Sequence, residues 1–143
     1  MITIRNEKFQ KEIASGKLLI LHRRHISNAL MNHGAENVND LQKVITTGSR
    51  SGRVYSYRGG KHQASAPGEP PASRSGKMAK SFIYKATGAN QLLIANTARS
   101  KKGFPYPGYL EPGFFATDLN RPYFLVTISK NQANLQRDLG GFI

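Results

Sequence analysis

The N-terminal third of the sequence has the hydrophobic spacing of helices. Phe9, Ile13 and Ile20 fall on one helical face, with Gly16 between them as a weak point or a break. Gly34 lies in a second run and favours a kink or a helix–helix joint near residues 32–35, and Gly48 is typical of a helix stop. We therefore expect one or two helices over residues 6–46. The second run begins at Arg24, and its apolar stripe, with a period of about 3.6 residues, consists of Ile26, Ala29, Leu30, Val38, Leu41, Val44 and Ile45.

The middle of the chain predicts short strands around one long loop. Residues 53–58 alternate in side-chain type and contain strand formers, so we expect a strand there. Residues 58–76 contain four Gly and three Pro and almost nothing to bury, which predicts an extended Pro/Gly-rich arm without regular structure. Residues 81–97 predict a β-hairpin with its turn near Gly88.

The C-terminal region predicts a last helix over residues 121–139. Phe124, Leu125, Ile128, Leu135 and Leu139 have helical spacing, and Pro122 suits a first helical turn. Residues 126–128 suit a strand equally well, but the longer stripe favours the helix. The chain is therefore expected to form one α+β domain over residues 1–143, with helices at both ends, a small antiparallel sheet and one long extended loop.

Charge is concentrated in the middle of the chain. The protein has 143 residues and a formal net charge of +13, and residues 41–110 hold twelve Lys and Arg with a single acid, Glu69. Such a surface favours an electronegative partner, either a nucleic-acid phosphate backbone or an acidic protein, although long basic side chains also simply solvate loops. The predicted contacts to a DNA channel or an acidic partner are Arg50, Arg53, Arg58, Lys77 and Lys80.

Several function classes find little support in the residues. The chain has no Cys, which excludes disulfides, thiolate zinc sites and cysteine nucleophiles. Gly60-Lys61 and Gly76-Lys77 lack the glycine spacing of a phosphate-binding loop. No acid pair or serine nucleophile motif is present, and the longest apolar run is far below the roughly 20 residues of a membrane span. The sequence therefore predicts a soluble protein without catalytic residues, cofactor or metal.

Two histidine-based alternatives compete with that prediction. His22 and His25 share a helical face, and with His33 or Glu36 they form a conceivable metal set, but a solvated helix face explains them better. A small basic nuclease or hydrolase using His62, Arg74 or tyrosines ranks lowest, because only one histidine and several basic groups favour it.

The arm and its surroundings resemble a known family. The string ASAPGEPPASRSGKMAKSF, residues 64–82, resembles the signature of neck and tail-completion proteins of long-tailed bacteriophages. Residues 52–55 look like the family's Gly-Arg-x-Tyr strand, residues 106–113 like its Y-x-x-Y-x-E-x-G motif, and residues 121–124 like the opening of its last helix. The resemblance covers most of residues 50–128, with Met78 where Leu is common and Tyr123 where Phe is usual.

The resemblance implies a structural, non-enzymatic role in the virion. It implies a homo-oligomeric ring, a hexamer, in the head–tail neck, assembled in the host cytoplasm around genomic DNA that passes without sequence-specific contact or membrane involvement. The implied protein partners are other copies of the chain, head-closure or connector proteins, and tail terminator or tail tube proteins. A stiff Pro-rich arm loses little entropy on docking, so deletion of residues 61–73 is expected to leave a folded subunit that no longer assembles. The alternative is a small basic nucleic-acid-binding protein. The predicted arm interface consists of Lys61, His62, Pro67, Glu69, Pro70, Pro71 and Arg74, and the predicted packing or interface anchors are Tyr106, Tyr109, Glu111, Phe114, Phe115 and Arg121.

Overall fold

The computed structural model describes residue 11, residues 15–110 and residues 121–140. The predicted α+β class is confirmed, with a helix near each end and antiparallel strands between them. The elements in chain order are α1 (Lys17–Thr47), β1 (Val54–Tyr57), β2 (Gly60–Gln63), α2 (Lys77–Lys80), β3 (Phe82–Gly88), β4 (Gln91–Asn96), a short 3-10 helix (Tyr106–Tyr109) and α3 (Phe124–Gly140).

Helix α1 is one continuous helix of 31 residues. Gly16 takes a left-handed conformation (φ 70°) just before it, and Gly48 follows its last residue, as predicted. The expected alternative of a helix–helix joint at residues 32–35 is wrong, since α1 runs through them without interruption. Gly34 is buried against the ring of Tyr84, where an added Cβ would lie 2.5 Å from Cδ2, so glycine permits the close approach of strand β3. Residues 6–10 and 12–14 of the predicted range lie outside the described residues.

The core lies between α1, α2, β3 and the start of α3. Leu41 and Ile45 on α1 are fully buried, which places the predicted apolar stripe against the rest of the protein. The rings of Phe82 and Tyr123 meet edge to face with their centroids 6.4 Å apart. The buried cluster consists of Val38, Leu41, Ile45, Met78, Ala79, Phe82, Ala98 and Tyr123.

The strands form two separate two-stranded sheets instead of the one small sheet expected from the sequence. Strands β3 and β4 pair antiparallel as the predicted hairpin over residues 81–97, and both pack on α1. Helix α3 begins at Phe124, three residues later than expected, and continues through residues 126–128, so the helical interpretation of that stretch is confirmed.

Helices α1 and α3 share a buried polar network. The side-chain amide of Asn131 on α3 donates to Oδ1 of Asn37 at 3.3 Å and to Oδ2 of Asp40 at 2.9 Å. Asn37, which has no exposed surface, donates in turn to the backbone oxygen of His33 at 2.8 Å. Because buried polar groups are costly without partners, this network stabilises one particular register between the two helices.

The prediction that residues 58–76 form one extended arm is wrong. Residues 60–63 form strand β2, which pairs with β1 through a two-residue turn at Arg58 (φ 50°) and Gly59 (φ 77°). The remaining residues fold back on their own subunit: the Ala64 amide donates to the Arg53 oxygen at 3.0 Å, and the Ser73 amide donates to the Ile45 oxygen at 3.1 Å. We call residues 54–63 the hairpin and residues 64–76 the brace.

Candidate functional site

The hairpin is an exposed part of the described chain. It makes no extensive contact with the other described helices and strands, whereas α1, α2, β3, β4 and α3 pack together. Val54 is 51% exposed and Tyr55 37% exposed, although both are strand formers. Tyr55 faces His62 across the two strands, with ring centroids 5.2 Å apart at 61°. The hairpin therefore presents side chains and backbone edges outward.

The structure places some of the basic residues singled out in the sequence on or beside the hairpin and others elsewhere. Arg53, Arg58 and Lys61 are exposed there. Other predicted cations are engaged with their own backbone: Nη2 of Arg50 donates to the Thr46 oxygen at 2.8 Å, and Nζ of Lys77 donates to the Arg99 oxygen. Lys80 is exposed on α2, a separate element.

The brace is held in place by the carboxylate of Glu69. Its Oε2 accepts hydrogen bonds from the backbone amides of Ala66 at 2.7 Å and Ser51 at 2.9 Å. Its Oε1 accepts from the Ser51 hydroxyl at 2.7 Å. These hydrogen bonds, that from Ala66 first, lower the pKa of Glu69 because they favour the charged form. Glu69, predicted as an arm-interface residue, therefore binds its own subunit.

Other predicted arm residues are also turned toward their own subunit. Pro71 and the neighbouring Ser65 are buried, and Pro70 and His62 are half-buried. Pro67 and Arg74 remain exposed. The prolines stiffen the brace. The brace therefore packs against its own subunit although few of its residues are hydrophobic.

A cavity of about 320 Å³ lies between the hairpin and the brace. Three basic side chains line it, and each comes from a different segment: His62 from the hairpin, Arg74 from the brace and Arg121 from the start of the last helical region. Tyr55 and Tyr106 contribute phenol groups, and the described lining includes no Asp or Glu. The arrangement suits an anionic or hydrogen-bond-accepting ligand.

Arg121 is the least satisfied group in this cavity. Its Nη1 is buried and has no hydrogen-bond partner, while its backbone amide donates to the Leu110 oxygen at 3.0 Å. Tyr106 is half-buried against the core, and burial raises the pKa of its phenol. The predicted anchors Glu111, Phe114 and Phe115 lie outside the described residues, as does the side chain of Tyr109.

Sequence reasoning missed the cavity because its wall is built from four separated stretches of chain. The signal that was available is the turn at Arg58-Gly59, which separates two short runs by two residues and is typical of a tight hairpin. That turn would have placed Tyr55 opposite His62. Nothing in the spacing of residues 106–121 shows that Tyr106 and Arg121 join them.

The described histidine and acidic side chains do not gather into a metal centre. Within residues 15–110 and 121–140, no three His, Asp or Glu side chains gather as metal ligands. His25 contacts the backbone oxygen of Asp138 through Nε2 at 2.8 Å, and His33 lies in the network beside Asn37. None of the helices in the described part has the length and apolar character required to cross a membrane.

Comparisons with protein-family models, with curated proteins and with solved structures found no match.

Proposed function

We propose that this chain is a structural, non-enzymatic virion protein of the neck of a long-tailed bacteriophage. It completes the tail and joins it to the head as part of a homo-oligomeric ring, a hexamer, around the DNA passage. Its partners are other copies of the chain, head-closure or connector proteins, and tail terminator or tail tube proteins. The observation that carries the proposal is the resemblance of residues 64–82 to the neck and tail-completion signature, followed in order by the motifs at 106–113 and 121–124.

The positions of the signature residues support a structural role. Glu69 holds the brace through three hydrogen bonds, and Pro71 of the brace is buried. Met78 and Phe82, at the end of the signature, belong to the core. That these residues contribute to the fold supports a structural role for the segment.

The joint between subunits is assigned to the hairpin instead of the brace. The brace is occupied by contacts to its own subunit, whereas the hairpin projects with an exposed turn at Arg58 and Lys61. Open strand edges add neighbouring strands readily, and exposed basic groups attract acidic neighbours or passing DNA. A ring lining with these groups tolerates the polyanion at its centre.

The sharpest test reverses charge at the hairpin. Deletion of residues 61–73 removes β2 and Glu69 and therefore damages the subunit itself, so it is a poor probe of assembly. A double substitution of Arg58→Glu and Lys61→Glu alters the exposed turn and leaves the core untouched. The control is Lys101→Glu with Lys102→Glu, which makes the same charge change on an exposed loop.

In a phage that carries this gene, we expect the hairpin variant to yield separate heads and tails, and the control variant to yield infectious particles. Negative-stain imaging and plaque counts measure both. Purified wild-type protein, or wild-type protein with its neck partners, should form closed rings by native mass spectrometry. Normal particles lacking this protein, or infectious particles from the hairpin variant, would contradict the proposal.

A second candidate function is a small basic nucleic-acid-binding protein. It is favoured by the excess of twelve basic residues over one acid in residues 41–110. This function predicts tight binding of DNA by the isolated chain, with an affinity that falls steeply as salt rises, because each phosphate contact releases a counterion. Weak binding at physiological salt would contradict it and leave the structural role.

A further inference from the structure

We propose that the cavity between the hairpin and the brace is a binding site for a carboxylate side chain presented by a protein partner. The site is distinct from the exposed hairpin turn, and its ligand preference depends only on the chemistry of the cavity wall. It therefore holds for a neck protein and for any other assembly to which the chain belongs.

The electrostatics of the wall point to an anion. His62, Arg74 and Arg121 line the cavity, and no carboxylate appears in its described lining. Glu69 is not among the lining residues: its oxygens accept hydrogen bonds from Ser51 and Ala66, and its charge acts on Arg121 only through space, as the weakest contribution to its lowered pKa. An anion in the cavity is therefore opposed by no described acidic side chain of the wall.

Arg121 gives the site a hydrogen-bond donor that lacks an acceptor. Its Nη1 is shielded from solvent and has no hydrogen-bond partner, so the charge of Glu69 acts on the guanidinium but no acceptor satisfies this donor. Since Arg121 also lines the cavity, a guanidinium that turns toward a ligand there exchanges this unpaired state for a charge-assisted hydrogen bond. A carboxylate matches the planar fork of the guanidinium and neutralises its charge.

The shape and polarity of the cavity favour a protein side chain over DNA. Its volume of about 320 Å³ accommodates a few side chains, and Pro71, Met78 and Leu110 provide apolar wall beside the basic groups. The methylene groups of a Glu side chain suit such a wall while its carboxylate reaches the arginine. A phosphodiester carries a sugar on each side and tracks along open basic grooves, so it does not enter a recess end-on.

The full-length chain can be tested with defined probes. The first is fluorescein-labelled acetyl-Gly-Glu-Leu-Glu-Glu-Leu-Gly-amide, the second is the same peptide with Gln in place of Glu, and the third is a thymidine oligonucleotide of about 12 nucleotides. Fluorescence anisotropy at physiological salt should show the Glu peptide binding at least about tenfold more tightly than the Gln peptide. Arg121→Gln should weaken Glu-peptide binding by about tenfold or more, and NMR shifts should map to the cavity lining.

The matched control is Arg137→Gln, which removes the same charge from a side chain that is 74% exposed on α3. It should leave peptide affinity within about twofold, because an exposed, distant charge is screened by salt. If circular dichroism shows that the Arg121→Gln variant is unfolded, Ala72→Leu replaces it, since that substitution adds bulk to the cavity wall and should weaken peptide binding.

Three results would overturn the proposal. The first is equal binding of the Glu and Gln peptides, or no binding of either. The second is an equal loss in Arg121→Gln and Arg137→Gln, with the oligonucleotide displacing the peptide, which would show general attraction of polyanions. The third is binding that appears only when Glu111→Gln is introduced, which would make the chain's own carboxylate the occupant.

Discussion

The body of the molecule and its hairpin-and-brace region are stabilised by different means. In the body, α1, α2, β3 and α3 enclose Leu41 and Ile45, whose exposure is 0% and 1%. In the other region, Val54 is 51% exposed, and the brace is fastened by Glu69, a charged group that accepts three hydrogen bonds. Apolar burial gives the body most of its stability, whereas polar fastenings contribute less and respond to pH and salt. The region proposed to meet partners is therefore the one expected to open at lower free energy.

The largest loss of stability in the body is expected from a void at its centre. Leu41→Ala removes a fully buried side chain and should lower the free energy of unfolding by roughly 2–5 kcal/mol through lost burial and an unfilled cavity. Urea denaturation followed by circular dichroism measures the change. Leu125→Ala is the matched control, since Leu125 is 51% exposed and should change stability far less. Equal losses from the two variants would show that burial does not distinguish the positions.

A smaller loss of stability is expected from crowding at the contact between α1 and β3. Gly34→Ala places a methyl group 2.5 Å from the Tyr84 ring, and overpacking of this kind costs roughly 1–3 kcal/mol. Gly140→Ala is the control, because a Cβ at Gly140 meets nothing within 4 Å. Thermal unfolding should show a lower midpoint for Gly34→Ala alone. A stabilised Gly34→Ala protein would mean that the glycine relieves no crowding and that α1 gains simply in helix propensity.

Disrupting the polar network between α1 and α3 should cause a loss of stability of similar or smaller size. Asn131→Ala leaves the side-chain oxygens of Asn37 and Asp40 without this donor, at a cost of roughly 1–3 kcal/mol for buried groups. Gln132→Ala, next to it and exposed, is the control. Chemical denaturation should separate the two variants. If Asn131→Ala were as stable as wild type, water or another donor would have to satisfy those oxygens.

The smallest change in global stability is expected from substitution of Glu69, whose effect should be confined to its surroundings. Glu69→Gln keeps the shape of the side chain but removes the charge that the Ser51 and Ala66 donors stabilise. We expect faster hydrogen exchange at the Ser51 and Ala66 amides with little change in the protected amides around Leu41, because the fastening is local.

The same residue predicts a pH dependence of defined sign. The folded-state pKa of Glu69 is lowered, so its stabilising contribution is present above the ordinary carboxyl pKa and disappears as pH falls through the lowered value. Wild type should therefore lose its advantage over Glu69→Gln on acidification, as measured by exchange or thermal unfolding at a series of pH values. An advantage that grew toward acid pH would have the wrong sign and would contradict this role.

The body could be predicted from the sequence because its signals are local and repeated. The apolar stripe from Ala29 to Ile45 marks one face of α1, and residues 81–97 carry alternation with a glycine turn, so both elements appear where expected. Gly34 was misinterpreted because a glycine in a stripe indicates a kink and a close contact equally well. Only the position of Tyr84, fifty residues later, decides between them.

The hairpin-and-brace region was less predictable because its order depends on pairings that composition conceals. Dense Gly and Pro around residues 58–76 suggested one unstructured arm, yet Arg58-Gly59 forms a tight turn and Glu69 supplies the fastening. The cavity depends on Arg121 lying beside the hairpin, and no sequence spacing expresses that proximity. The resemblance of residues 64–82 to the phage signature does not indicate which way that segment folds.

The hydrogen bond from Ser73 to the Ile45 oxygen has a consequence for how this protein can vary. It brings the two ends of the segment formed by residues 46–72 together at the end of α1. The Pro70 Cβ lies 3.5 Å from the position that a Cβ on Gly48 would take. When the two ends of a segment are held together, a change in its length alters the entropy cost of closing the loop only slightly. We therefore expect this segment to tolerate changes in its length while the helices beneath it keep their geometry.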